Sequence, residues 1–188
     1  PYGERRSFGS VTVSFHPAGH ILGSAQIRVQ RGDEVWVVTG DFKREPDPTC
    51  APFEPVPCDV LVTEATFAYP IYQWPHPDTV MEEIYAWWQR CAAEGRPAVL
   101  FTYALGKAQR ILAGLHAFTN DTVWLHGAID GLTRLYRDAG VTMIPTVPVS
   151  EMPRSDRGAG RLILAPPSAA GSKWTKRFRG ARTGFASG

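Results

Sequence analysis

The residues of this chain that could do chemistry fall at three points in its first third. Phe15-His16-Pro17-Ala18-Gly19-His20-Ile21-Leu22-Gly23-Ser24-Ala25 sets His20 at the tip of a glycine-containing turn between two strand patterns. An imidazole in such a turn is free to ligate a metal, whereas one inside a strand is packed. His16 reads at least as readily as a packed histidine at a strand end as it does as a contact to a ligated group or substrate. Thr39-Gly40-Asp41 ends another strand and leaves a carboxylate beside a glycine, a position suited to bridging two cations. Thr63-Glu64 ends a third strand in a second carboxylate, which reads alternatively as an ordinary surface acid. Taken singly each feature is weak, because most loop histidines are not ligands and Gly-Asp is a common turn pair.

Strands are what must position these groups. Residues 8–15 alternate with period two and read as one half-buried strand, followed by strands over 25–30 and 34–39. Their short connections predict antiparallel hairpins. Five prolines between residues 43 and 58 predict an irregular loop, and Asp59–Thr63 a short apolar strand. From residue 70 the character changes. Asp78 could cap a helix over 79–93, and helices over 106–118 and 131–139 alternate with strands over 98–102, 123–125, 141–144, 161–165 and 183–186. Residues 145–160 read as loop. Alternation of this kind predicts a parallel sheet covered by helices.

In this second region the strand-to-helix turns are the candidates for binding. Thr102, Tyr103 and Lys107 surround Ala104-Leu105-Gly106, and a helix N-terminus there would offer backbone N–H groups to a phosphate. Ser168–Ser172 reads as a second turn of that kind, followed by the cationic residues Lys173, Lys176, Arg177, Arg179 and Arg182. His126, before Gly127 at a strand end, is a further substrate contact, and Ser24 joins the list from the His20 turn. Each turn reads equally well as an ordinary β–α connection, and the cationic cluster as a solvated face. Trp74, Trp87, Trp88 and Trp124 read as core, with Trp174 the one base-stacking candidate because basic residues flank it.

The ordered series Pro17–Ala25, Thr39–Phe42 and Thr63–Phe67 resembles three landmarks of the metallo-β-lactamase superfamily, in its nucleic-acid-processing β-CASP branch. The resemblance implies that His20 is a zinc ligand and that Asp41 bridges two zinc ions. Glu64 would be the acidic residue opening the β-CASP signature, acting through a downstream histidine that protonates the leaving oxygen. Ala104-Leu105-Gly106-Lys107-Ala108-Gln109 looks like a helix-opening segment of the β-CASP cassette. Glu45-Pro46-Asp47-Pro48-Thr49 and Ala165–Ser172 look more specifically like bacterial ligase-associated DNA exonucleases. The implied fold is α/β: residues 1–69 as part of the metallo-β-lactamase αβ/βα sandwich, and 70–188 as an incomplete β-CASP parallel-sheet domain.

The implied function is phosphodiester hydrolysis of DNA, as exonucleolytic end processing in repair. Two zinc ions, or manganese in their place, would serve the catalytic Asp41 and Glu64, with a DNA ligase and a helicase of the same repair system as partners. Two metal ions about 3.5–4 Å apart can activate a bridging water and clamp phosphoryl oxygens. Zinc takes imidazole nitrogen and carboxylate oxygen at about 2 Å. An RNA-processing nuclease of the same branch is the alternative, and a non-catalytic nucleic-acid-binding module another. The family's His-x-His-x-Asp-His motif and its later histidine motifs are absent, and His76, His116 and His126 are scattered. The chain is therefore expected to be an internal piece, inactive alone.

Composition agrees with a folded protein: 188 residues, 44% hydrophobic, with 20 Lys and Arg against 18 Asp and Glu for a net charge of +2. No run of about 18 apolar residues predicts a membrane span. Cys50, Cys58 and Cys91 form no CxxC pair, so reduced thiols in a cytoplasmic protein are expected.

Overall fold

Period-two alternation broken by turns builds the first of two sheets. In the computed structural model, which describes residues 1–186, Arg5–Phe8 (β1) and Val11–Pro17 (β2) pair as an antiparallel hairpin. The single strand expected over 8–15 is thus divided at Gly9, whose φ of +61° breaks a strand at little cost only in glycine. Ala25–Arg31 (β3) and Glu34–Val38 (β4) extend the antiparallel meander as expected, and Val60–Val62 (β5) lies parallel to β4. The order is β1-β2-β3-β4-β5.

The two faces of this sheet differ. Phe15, Ile27, Val38 and Val62 stand in register across β2 to β5 and remain exposed. An apolar face of this kind belongs against a second layer, as in a two-sheet sandwich. On the opposite face Ser14, Gln26 and Val37 are buried. Gln26 Nε2 donates to Pro17 O at 2.9 Å and Glu54 O at 2.6 Å, which ties the proline-rich loop to the sheet.

The chain divides into two units, Pro1–Trp74 and the residues from Pro75 onward. The second unit begins with Pro77–Ala93 (α1), whose cap is His76 rather than Asp78: His76 Nδ1 accepts from Asp78 N at 3.3 Å, with proline at the first helical position. Ala98–Thr102 (β6), Lys107–Leu115 (α2), Val123–Leu125 (β7), Gly127–Asp138 (α3), Thr146–Pro148 (β8), Leu162–Ala165 (β9) and Arg182–Ala186 (β10) follow. The sheet order is β10-β6-β9-β7-β8 and every pairing is parallel, as the alternation predicted. Every residue of β6 and β9 is buried, the pattern of strands covered on both faces.

In the second unit two further assignments differ from the sequence expectation. The strand expected over 141–144 is absent, and β8 falls instead in the stretch read as loop. Met143 and Ile144 are buried, yet their carbonyls accept from the Arg137 guanidinium and Ile144 N donates to Leu112 O, so their backbone is not in a ladder. The third helix starts at Gly127, earlier than expected, because His126 caps it. No helix among the described residues is long and apolar enough to cross a membrane, and none of the three cysteines is in a disulfide.

Candidate functional site

Three strand ends of the first unit bring His20, Asp41 and Glu64 into one neighbourhood. Thr39 N donates to Val62 O at 3.0 Å, so the chains leaving β4 and β5 run out of the sheet together. His20 Nε2 lies 3.9 Å from Asp41 Oδ2, with 44% and 76% of their side-chain surfaces exposed. That separation is too long for a hydrogen bond and leaves nitrogen and oxygen lone pairs accessible side by side. Glu64 Oε2 accepts from Thr66 N at 2.9 Å. Hydrogen bonds from the Thr66 backbone and side chain, then from Phe42 N–H, hold its carboxyl below the usual range, with a smaller contribution from nearby His20. Among the described residues no group of three or more His, Cys, Asp and Glu is arranged to hold a metal ion. His20 and Asp41 fit as two members of a larger ligand set, by donor type and by access.

The His20 turn is braced from below. Gly19 has φ +71°, and a Cβ there would stand 2.3 Å from Lys43 O and 2.9 Å from Phe53 N, so no other residue fits. Lys43 N donates to Ala18 O at 3.0 Å, while the Lys43 ammonium reaches Asp47 Oδ2 at 3.3 Å. Asp47 is buried and its other oxygen accepts from Thr49 N at 3.0 Å and Thr49 Oγ1 at 2.6 Å. Ser24 Oγ accepts from His20 N at 3.1 Å and Ile21 N at 3.2 Å, so the serine closes the turn that carries His20. His16 joins Ser14 Oγ (3.0 Å) to Glu54 Oε1 (2.8 Å). This series has the order of a Ser-His-acid triad, but Ser14 is only 2% exposed, so a substrate carbonyl cannot reach it.

In the second unit the strand ends are closed rather than open. Gly106 N donates to Gln109 Oε1 at 2.8 Å, Lys107 N to Leu105 O at 3.0 Å and Ala108 N to Tyr103 O at 3.2 Å. These are the donors that a phosphate at the α2 N-terminus would require, and they are already engaged; the anion-cradle expectation for this turn is corrected accordingly. Thr102 has no exposed surface and its Oγ1 no partner, while Tyr103 is exposed and Lys107 half-buried. The Ser168–Ser172 turn leads into short 3-10 turns at Pro167–Ala169 and Thr175–Arg177 and opens no α-helix, which corrects the second cradle. There Ser168 and Lys173 are exposed, and Ser172 Oγ donates to Ala169 O at 2.7 Å and accepts from Trp174 N at 3.2 Å.

His126 accepts from Ala128 N through Nδ1 at 3.1 Å, which leaves the proton on Nε2, and burial lowers its pKa. The cationic cluster divides. Arg177 donates to the carbonyls of Val149, Met152 and Pro153, and Arg182 lies 3.3 Å from Glu94, whereas Lys173, Lys176 and Arg179 are exposed. Trp174 packs edge-on against His126 at 4.8 Å and Phe178 at 5.0 Å, partly buried against the core rather than standing as the free platform expected. Trp74, read as core, is exposed.

No family model matches the chain. A probable DNA ligase of Opitutus terrae is 30% identical over 190 aligned positions, which cover 100% of this chain and 18% of the ligase. Cleavage and polyadenylation specificity factor 73 of Drosophila melanogaster is 29% identical over 125 positions, 65% of this chain and 18% of that protein. An RNase J-like protein of Methanocaldococcus jannaschii is 29% identical over 113 positions, 59% of this chain and 27% of its own. With the His20, Asp41 and Glu64 strand ends, these relatives decide the family. The chain belongs to the β-CASP branch of the metallo-β-lactamase superfamily. It spans less than a third of the length of the relatives it matches.

Two residues of this β-CASP chain escaped the sequence reading as supports. Gln109, fully buried, ties Gly106 N, Ala104 O (3.1 Å) and Thr133 Oγ1 (3.2 Å) together, and so fixes the β6–α2 turn to α3. Its signal was position: a glutamine three residues after a helix-opening glycine. Asp47 is the other. An aspartate that accepts from the residue two further on is a local turn device, legible in Asp-Pro-Thr.

Proposed function

We propose that the whole protein is a metal-dependent phosphodiesterase that processes DNA ends, and that residues 1–69 and 70–188 contribute part of its metallo-β-lactamase core and its β-CASP clamp. The observation that carries this reading is the exposed His20–Asp41 pair with Glu64 beside it at one edge of the first sheet. His20 and Asp41 would ligate two metal ions, zinc or manganese, completed by residues outside this chain. When bound, the ions supply a nucleophile at neutral pH and neutralise charge on the phosphoryl oxygens.

The chain's own residues prepare that site. Gly19 and Ser24 hold the turn that presents the His20 imidazole, and the Lys43–Asp47–Thr49 network holds the loop beneath it. Glu64, kept ionised by its Thr66 and Phe42 hydrogen bonds, is available to orient a proton donor to the leaving oxygen. In the second unit, Tyr103, Lys107, His126, Ser168 and Lys173 would contact the strand, through side chains rather than through a helix N-terminus.

Similarity along the whole of this chain to 18% of a probable DNA ligase favours DNA, and a ligase as functional partner. The ribonuclease names among other relatives favour RNA as the second reading. End-labelled DNA and RNA of matched sequence, incubated with the whole protein with and without a chelator, separate the two. The DNA reading expects faster, chelator-sensitive trimming of DNA. Equal or faster cleavage of RNA replaces it with the RNA reading, and no cleavage of either, with binding retained, leaves a binding module.

A further inference from the structure

The segment immediately after Glu64 bears on how the substrate strand is held, an inference that rests on the nuclease reading and extends it. From Ala65 to Pro75 the chain contains no charged residue. Phe67, Tyr72 and Trp74 in it keep 50%, 43% and 57% of their surfaces exposed. They are nevertheless ordered against one another. The Tyr72 and Trp74 ring planes lie within 10° of parallel with centroids 6.3 Å apart, and Phe67 meets each of them edge-on at 5.2 Å. Hydrogen bonds from Thr66 N to Glu64 Oε2, Ala68 N to Ala65 O and Tyr72 N to Tyr69 O fix the segment to the Glu64 strand end.

Exposed apolar groups that cluster, as these three rings do, mark interaction sites where singly scattered ones do not. A phosphate is excluded by the lack of any cation in the segment. A nucleobase is not: its flat face stacks on an aromatic ring whatever the sequence. Position selects it further. Three residues of chain reach at most about 11 Å, so Phe67 lies within roughly three stacked nucleotide steps of Glu64. We propose that Phe67, Tyr72 and Trp74 form a platform on which one base of the substrate strand stacks, next to the phosphate at the His20–Asp41 pair. Charged groups hold the phosphate and neutral rings hold the base, so the platform sets which linkage is presented without reading sequence.

The test uses the whole protein with its metal and a single-stranded oligonucleotide carrying one abasic residue, stepped outward from the cleaved end. Wild-type protein should show KM raised roughly 5- to 100-fold when the gap falls at one position and little change elsewhere. Trp74→Ala should raise KM for the intact oligonucleotide to a similar level and abolish the dependence on gap position, while Trp74→Phe restores it. A flat abasic scan in wild-type protein overturns the proposal without recourse to any variant. So does a Trp74→Ala protein that melts at lower temperature yet keeps the position dependence, which assigns the rings to packing against other protein. Absence of hydrolysis with every metal tried would instead strike the nuclease reading, and oligonucleotide Kd values from the same scan would still decide the platform.

Discussion

The two units of this chain end their strands in opposite ways. In the first, an imidazole and a carboxylate stand 3.9 Å apart with no hydrogen bond between them and much of their surface in water. In the second, the β6–α2 turn matches its N–H groups to Gln109 Oε1, Leu105 O and Tyr103 O. The difference teaches where chemistry can be added. A group whose donors and acceptors are already engaged loses those bonds when it takes a ligand, whereas an open pair loses almost nothing. The first unit therefore has the character of an open edge and the second that of a closed scaffold, whose strand-end turn has its own donors already engaged.

Removing a group from the open edge should give the largest effect. In the whole protein Asp41→Ala is expected to lower hydrolysis by about 10³-fold or more, since metal charge stabilisation amounts to several kcal/mol and each 1.36 kcal/mol is tenfold. Metal content measured beside activity should fall, while DNA binding by the second unit stays near wild type. Full activity with unchanged metal would remove Asp41 from the site and erase the contrast between the units.

The closed scaffold should respond in stability instead. Gln109→Leu conserves volume but takes the Gln109 partner from Gly106 N–H and Ala104 O, while Thr133 Oγ1 keeps its bond to Ile129 O. Denaturant unfolding is expected to show a loss of about 2–4 kcal/mol, the cost of stranding buried polar groups. Metal content should not change; if it did, the turn would be coupled to the open edge.

How much of this was legible in the sequence follows the same division. Strand alternation and the residue types at strand ends were readable, because period-two patterning and a Gly-Asp pair are local. Hydrogen-bond saturation was not. Whether Ala104–Gln109 cradles an anion depends on where one buried glutamine points, and whether Arg177 is a free cation depends on carbonyls more than twenty residues away. Trp88 is buried as its sequence position implied, but Trp74 and Trp174 differ from their reading for a related reason. Trp174 was judged by its charged neighbours in sequence, yet His126 and Phe178 cover it in space, while Trp74 looked like core and is exposed.

Salt dependence sharpens the comparison within the cationic cluster itself. Lys173 and Lys176 are exposed, and Arg177 is hydrogen-bonded to carbonyls. Lys173→Ala should reduce the slope of log K against log salt by about 0.7–0.9, the value of one phosphate contact. Arg177→Ala should leave the slope unchanged and lower the melting temperature. The reverse pattern would mean that the arginine, not the lysine, meets the strand.

The smallest expected effect concerns His126, the one strand-end histidine of the second unit. Burial lowers its pKa from the usual 6.5, and Nδ1 is already the acceptor for Ala128 N, so protonation in the folded state must break the α3 cap. The unfolded chain keeps the ordinary pKa and takes up its proton first on acidification. Stability from this residue is thus full above about pH 6.5, falls as pH drops through that value, and levels off below the folded pKa, with a slope of at most about 1.4 kcal/mol per pH unit. His126→Asn retains a capping acceptor without the titration. Its melting temperature should fall less than that of wild type between pH 7 and pH 5. An identical fall in both proteins would place the acid sensitivity elsewhere, and would free His126 to take a proton while bound to a phosphate, which is a property of an open edge and not of a closed one.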